Sequence, residues 1–154
     1  EALFDILGPS IVEARVLDLF AGTGSVGIEA LSRGAREAVF VERDRRAVAT
    51  IRRNLEATGL ASRARVIAGD VFGFLKQTPS EPFDLIYIAP PQYKRLWVDT
   101  LLAIDRPGWL TPGGLAIVQI FPKEDEDVPL QHLRRSDERR YGSTLLVFYE
   151  PKSG

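Results

Sequence analysis

A chain of 154 residues, 45% hydrophobic and 27% charged, has material for one hydrophobic core and too little for two ordinary domains. It has no cysteine and one histidine, His132, which excludes disulfides, thiolate metal sites and a cysteine nucleophile and leaves little for metal catalysis. The formal net charge of -1 makes no global case for a polyanionic partner, and no apolar run is long enough to cross a membrane.

Glu1 to Gly8, EALFDILG, reads as a short amphipathic helix with Leu3, Phe4, Ile6 and Leu7 apolar, ended by Gly8-Pro9 and packed over a sheet edge. Ser10 to Arg15 lead into the stretch around which the chain is organised, VLDLFAGTGSVG at 16 to 27. Val16, Leu17, Leu19 and Phe20 read as a strand buried on both faces, and Ala21, Gly22 and Gly24 as a tight turn. A helix follows, capped by Ser25, with Val26, Ile28, Ala30 and Leu31 on its core face and Gly34 as its stop. Strand, glycine turn and helix N-terminus present free N–H groups and a positive dipole end, which suits a polar or anionic ligand. Gly22 to Gly27 also satisfies the dinucleotide pattern GxGxxG, with Glu42 where a ribose-binding acid would fall. Asp18 separates the two readings. Inside a buried strand its charge needs a polar answer, and a cofactor with a cationic amino-acid end supplies one.

Glu37 to Glu42 is a second buried strand, with Val39, Phe40 and Val41, and Glu42 at its carboxyl end lies on the same edge as the glycine turn. Its two oxygens can accept both ribose hydroxyls of an adenosine in a fork. Asp44 to Thr58 is helical, with Val48, Ile51 and Leu55 at core spacing and Arg43, Arg45, Arg46, Arg52 and Arg53 on the remaining surface; that face is either solvated or touches RNA phosphates. Gly59 ends it. Ala64 to Gly69 is a third strand, and Asp70 puts a third acid on the same edge, as N-cap of a helix from Val71 to Gln77.

Thr78 to Pro82 is a loop before a fourth buried strand, Phe83 to Ala89. Pro90 and Pro91 then fix an extended turn without N–H donors, leaving the carbonyls of Ala89 and Pro90 as acceptors for a substrate amine. Lys94 to Asp105 reads as a helix with Trp97, Leu101, Leu102 and Ile104 apolar. Trp109-Leu110 and a Thr111-Pro112-Gly113-Gly114 turn lead to a fifth strand, Leu115 to Phe121. Lys123 to Val128 is an acidic loop or short helical turn. Leu130 to Arg140 and Ser143 to Glu150 form a terminal hairpin turning at Tyr141-Gly142, with Arg134, Arg135, Arg139 and Arg140 as charge on an exposed strand.

D-x-F-A-G-x-G at 18 to 24 resembles the first motif of class I S-adenosylmethionine-dependent methyltransferases. Ala89-Pro90-Pro91-Gln92-Tyr93 resembles the (Asp/Asn)-Pro-Pro-(Tyr/Phe) motif of those that modify exocyclic amines of nucleobases. Taken with EALFDIL at 1 to 7, VLDLFAGTGSVGIEALSRG at 16 to 34 and VERD at 41 to 44, the chain resembles the 16S ribosomal RNA guanine-N2 methyltransferases. The resemblance implies an α/β, Rossmann-like class I methyltransferase fold: a seven-stranded, mostly parallel sheet with an antiparallel C-terminal strand and helices on both faces. It implies S-adenosylmethionine as cofactor, bound by Asp18, Phe20, Ala21, Gly22, Thr23, Gly24, Glu42, Arg43, Asp70 and Val71. In that scheme Asp18 meets the methionine part, Glu42 the ribose and Asp70 the adenine amine. It places the chemistry on Ala89, Pro90, Pro91, Gln92 and Tyr93, with the Pro90 carbonyl orienting a guanine N2 amine and Tyr93 stacking on the base.

Two departures from the motif stand out: Ala89 replaces the acid or amide, and Gln92 separates the prolines from Tyr93. The implied partner is ribosomal RNA or the assembling small subunit, with no metal and no membrane. The expectation is one cytoplasmic, monomeric domain over 1–154, with a segment upstream of Glu1 missing, which in the family is basic and helps hold RNA. Four alternatives stay open on sequence alone: an adenine N6-methyltransferase of DNA or RNA, a small-molecule methyltransferase, a non-catalytic S-adenosylmethionine-binding module, and a nicotinamide-dependent oxidoreductase. The last lacks an evident tyrosine-lysine or histidine pair.

Overall fold

A computed structural model describes residues 2–153. Its strands are β1 (Arg15–Leu19), β2 (Glu37–Glu42), β3 (Ala64–Ala68), β4 (Phe83–Ile88), β5 (Leu110–Ile120), β6 (Leu133–Tyr141) and β7 (Thr144–Pro151). The helices are α1 (Ala2–Leu7), α2 (Ser25–Ser32), α3 (Arg45–Thr58), α4 (Val71–Phe74) and α5 (Leu96–Ala103). All seven strands form one sheet in the order β3-β2-β1-β4-β5-β7-β6. β1 to β5 pair in parallel, and β7 runs antiparallel between β5 and β6. The order reverses between β1 and β4, so the ligand crevice expected of an open α/β sheet falls outside their carboxyl ends.

The continuous apolar runs reflect burial on both faces. Leu17, Leu19, Val39 and Val41 point to one layer with Val71 of α4 and Trp97, Val98 and Leu101 of α5. Val16, Ala38 and Phe40 point to the other, with Leu3, Phe4 and Leu7 of α1, Ala30 and Leu31 of α2, and Ile51 and Leu55 of α3. β7 contributes to both, Leu145, Val147 and Tyr149 to the first layer and Leu146 and Phe148 to the second. The expected seven-stranded sheet with its single antiparallel strand and helices on both faces is the observed architecture.

Several local expectations differ. Glu1 of the first helix lies outside the described residues, and that helix continues as a 3-10 turn over Gly8–Ile11 instead of ending at Gly8. Phe20 has left β1 and sits at φ +58. Ser25 is the first residue of α2 and not its cap; Gly24 holds the cap position at φ +81. α3 starts one residue later than expected because Asp44 is its N-cap, accepting from the Arg46 N–H at 3.2 Å. α4 is four residues long and stops well before Gln77. α5 cannot begin at Lys94, since Arg95 lies at φ +51, and its Leu102 faces solvent at 44% exposure while Val98 and Thr100 are buried. β5 runs through Thr111 to Gly114, which the sequence reads as a turn, with an irregular register opposite Phe83 and Leu85. β6 starts at Leu133, where the Asp105 carboxylate accepts the N–H groups of Gln131, His132 and Leu133 at 2.7 to 2.8 Å.

Candidate functional site

Three residues just after β1 adopt left-handed backbone: Phe20 at φ +58, Gly22 at +60 and Gly24 at +81. Gly24 has a second reason to be glycine. A Cβ there would sit 3.1 Å from Ile51 of α3 and 3.3 Å from Phe40 of β2, the neighbouring helix and strand on which the turn packs. The turn is pinned by acids from the sheet. Gly22 N–H donates to Glu42 Oε1 at 2.8 Å, and Asp44 N–H donates to Glu42 Oε2 at 2.9 Å. Each oxygen of this carboxylate keeps lone-pair capacity for a further donor.

Asp18 is 2% exposed and accepts the Gly27 N–H in the first turn of α2 at 3.1 Å. Burial pushes its carboxyl up to about 7, the Gly27 N–H pulls it back in part, and the negative charge of Glu42 raises it further. Asp18 therefore ties β1 to α2 from beneath the glycine turn. At the end of β3, Asp70 accepts the Gly73 N–H at 3.0 Å as the N-cap of α4. Gly69 N–H donates to the Glu42 carbonyl at 2.9 Å, which holds the ends of β2 and β3 together.

These elements enclose a crevice of about 720 Å³ at the carboxyl edge of the sheet. Of the residues expected to bind a cofactor, Phe20, Gly22, Glu42, Arg43, Asp70 and Val71 line it; Asp18, Ala21, Thr23 and Gly24 do not. All five residues from Ala89 to Tyr93 line it too, and they follow β4, on the other side of β1 from the strands whose ends carry Glu42 and Asp70. Sequence reasoning missed Val41, Gly69, Phe72 and Leu96 in this lining. Phe72 meets Phe20 edge to face, with ring centroids 6.4 Å apart, and gives the crevice an apolar wall. An aromatic two residues past an edge acid was the one mark that could have found it.

Both prolines follow trans bonds, since no peptide among the described residues is cis. Beyond them Tyr93 is 65% exposed, sits at φ +64 and stacks on Phe121 with centroids 5.7 Å apart and planes 22° from parallel. A smaller cavity of about 250 Å³ adjoins the crevice, lined by Ala89, Pro90, Gln92, Gln119, Phe121 and Glu124 among others. The small side chain at 89 thus borders both spaces. Tyr87 donates its hydroxyl to the Gln119 carboxamide oxygen beside it.

The two arginine-rich stretches differ in their partners. On β6, Arg134 pairs with Glu150, Arg135 with Asp125 and Glu138, and Arg139 with Asp137. Among the described residues, Arg43, Arg45, Arg46, Arg52 and Arg53 form no ion pair, and all five are exposed. One end of this unpaired row, Arg43, reaches the crevice.

A parallel sheet reversing at β1 and β4, with a glycine turn, two edge acids and a proline pair around one crevice, defines a Rossmann-like α/β domain with a ligand site at its switch point. The chain belongs to the family described as Conserved hypothetical protein 95, which it matches over residues 1–150. It is 39% identical over 119 residues to Ribosomal RNA small subunit methyltransferase D of Escherichia coli, a match covering 77% of this chain and 59% of that protein. To the protein of the same name from Haemophilus influenzae it is 36% identical over 132 residues, covering 84% and 66%. The chain spans less than two thirds of the length of either relative. The solved structure of yhhF of Escherichia coli superposes with a TM-score of 0.88 at 32% identity, covering 99% of this chain and 85% of that one.

Proposed function

We propose that this domain transfers a methyl group from S-adenosylmethionine to the exocyclic N2 amine of a guanine in small-subunit ribosomal RNA. The observation that carries the reading is the crevice itself, which brings together Glu42 and Asp70, at the ends of β2 and β3, and the Pro90-Pro91 turn with Tyr93, beyond β4 on the other side of β1. The names of the relatives support the RNA class of substrate.

The residues fit the cofactor. Glu42 spends one acceptor site per oxygen on backbone N–H groups and has others left for ribose hydroxyls. Asp70 caps α4 through Oδ2, which leaves Oδ1 for the adenine amine. Asp18, buried and pushed up to about 7, is an acid that a neighbouring ammonium would return to its ionised form. Phe20, Val71 and Phe72 supply the apolar surface against which an adenine packs. When bound, S-adenosylmethionine supplies a methyl on a sulfonium, an electrophile that needs alignment more than acid-base help. Alignment is the task of the proline turn and Tyr93. The Pro90 carbonyl, with the Gln92 amide oxygen beside it, accepts amine hydrogens so that the nitrogen lone pair faces the crevice, and Tyr93 stacks on a base withdrawn from its helix. RNA phosphates lie along the unpaired arginines of α3.

Ala89 favours one other reading, a module that binds the cofactor without transferring its methyl group. Calorimetric titration with S-adenosylmethionine, with NAD as control, followed by methylation of ribosomal RNA and analysis of the modified base, separates these. Saturable S-adenosylmethionine binding and N2-methylguanine are expected. Binding without transfer supports the module, N6-methyladenine would move the substrate to adenine, and NAD binding would return the site to the dinucleotide class.

A further inference from the structure

The loop that carries Tyr93 is held from a distance. Tyr93 at φ +64 and Arg95 at φ +51 are both non-glycine residues in left-handed backbone, a conformation that persists where surrounding contacts impose it. Those contacts come from the segment after β5. Tyr93 N–H donates to Glu124 Oε1 at 3.0 Å, and the other oxygen of the same carboxylate, Oε2, accepts the Phe121 N–H at 3.0 Å. Phe121 is the residue whose ring lies under Tyr93. Two residues on, Glu126 takes Arg95 in a two-point contact, Nε to Oε2 at 2.9 Å and Nη2 to Oε1 at 2.7 Å. One carboxylate therefore fixes the backbone of both rings in the stack.

We propose that Glu124 is a positioning residue for Tyr93, and that Phe121 is the back layer of a two-ring platform whose open face, on Tyr93, receives the base. The proposal rests on the reading that Tyr93 stacks on a substrate base. Glu124 acts through geometry. With both oxygens taken by backbone N–H groups, its contribution is to hold a strained residue so that the Tyr93 ring is already stacked on its backing ring before any base arrives. A base then meets a rigid surface and loses less freedom on binding than it would against a mobile tyrosine. Glu126 adds a second tie to the same loop through its ion pair with Arg95.

The test uses the full chain and four variants, E124A, E124Q, Y93A and the double variant Y93A/E124A. Three quantities are read: hydrogen exchange of the Tyr93 amide, affinity for S-adenosylmethionine, and kcat/KM for small-subunit ribosomal RNA. In E124A the Tyr93 amide should exchange at least about tenfold faster and kcat/KM for RNA should fall about tenfold, a typical value for losing one stacked base, with cofactor affinity within about twofold. E124Q, which keeps one acceptor oxygen, should fall between E124A and the unaltered chain. Because Glu124 acts through Tyr93, the double variant should be no slower than Y93A within about twofold.

A further tenfold loss in the double variant would overturn the proposal, and so would an equally fast Tyr93 amide in the unaltered chain. An unaltered chain that binds the cofactor and methylates no RNA would instead refute the assigned activity. Amide exchange would then still decide whether Glu124 holds Tyr93.

Discussion

Replacing Asp18 by asparagine should make the protein more stable and the site worse. Asparagine has nearly the same shape and keeps an oxygen to accept the Gly27 N–H, so the change removes a charge and little else. The carboxyl of Asp18 is pushed from an ordinary 3.8 up to about 7, chiefly by burial. The folded chain therefore binds this proton more tightly than the unfolded chain does. The stability that the group contributes is fully present below about pH 4 and is lost as pH rises through 7. At about 1.4 kcal/mol per decade, the span from 3.8 to about 7 makes ionised Asp18 a burden of about 4 kcal/mol at pH 8. Urea unfolding from pH 4 to 8, followed by the fluorescence of buried Trp97 and Trp109, should give a D18N advantage that grows from near zero to at most about 4 kcal/mol. Other carboxylates titrate in both proteins and cancel in the difference. An advantage independent of pH, or none at pH 8, would refute this account of Asp18. The functional counterpart is a weaker complex of D18N with S-adenosylmethionine. In the unaltered chain, binding near pH 7 should release part of a proton, visible as a binding enthalpy that varies with the ionisation enthalpy of the buffer.

E42A leaves the N–H groups of Gly22 and Asp44 without their acceptor and should lower unfolding free energy by about 1 to 3 kcal/mol. The same variant should weaken S-adenosylmethionine at least about tenfold in calorimetry, the cost of about one charged hydrogen bond. G27A places a Cβ against the ring of Phe40, 2.7 Å from Cζ, in a buried helix-sheet contact. Overpacking of that kind should cost about 1 to 3 kcal/mol in thermal unfolding, and an unchanged melting temperature would mean the ring can move aside freely. Changing Arg45, Arg46, Arg52 and Arg53 together to glutamine should reduce the slope of log affinity for RNA against log salt by about one for each phosphate that an arginine had neutralised. R139Q, whose arginine already pairs with Asp137 at 3.1 Å, should leave that slope unchanged. Equal slopes in all three proteins would make α3 a solvated face.

The sheet was legible because its inner strands are buried on both sides, so that Val39, Phe40 and Val41, ending on Glu42, or Leu85, Ile86 and Tyr87 leave unbroken apolar runs. The glycine turn was legible because left-handed backbone next to Phe40 and Ile51 admits little besides glycine. What escaped the sequence depends on partners far along the chain. Arg95 sits in a helical pattern, yet Glu126, 31 residues on, holds it in a left-handed turn that delays α5. Glu124 reaches Tyr93 over the same separation, so an acidic loop gave no sign of its tie to the proline motif. Asp105 fixes where β6 begins through three backbone donors more than two dozen residues away. Thr111 to Gly114 carries the marks of a turn, and the chain uses them as an irregularity inside β5. Asp18 was found, but its neighbour was not: the Gly27 N–H, nine positions later, takes the place nearest it.

The place of β7 bears on how this chain folds. β6 precedes β7 in sequence, yet β7 is inserted between β5 and β6, so these two must leave a strand's width free until the final strand arrives. The β6–β7 pairing is local, closing from Tyr141 and Thr144 outward, whereas β5 meets β7 over separations that run from Ile120 with Leu145 out to Ala116 with Tyr149. The fast event is thus hairpin zipping, and the slow one is edge-on docking of the finished hairpin, which seals both layers at once. The competing error is β6 pairing directly with β5. It is disfavoured by composition, because β6 would carry into the interior a run of arginines and acids of which Leu133 is the only buried residue. The charge that guards the sheet's edge in the finished protein therefore also steers the order in which that edge is built.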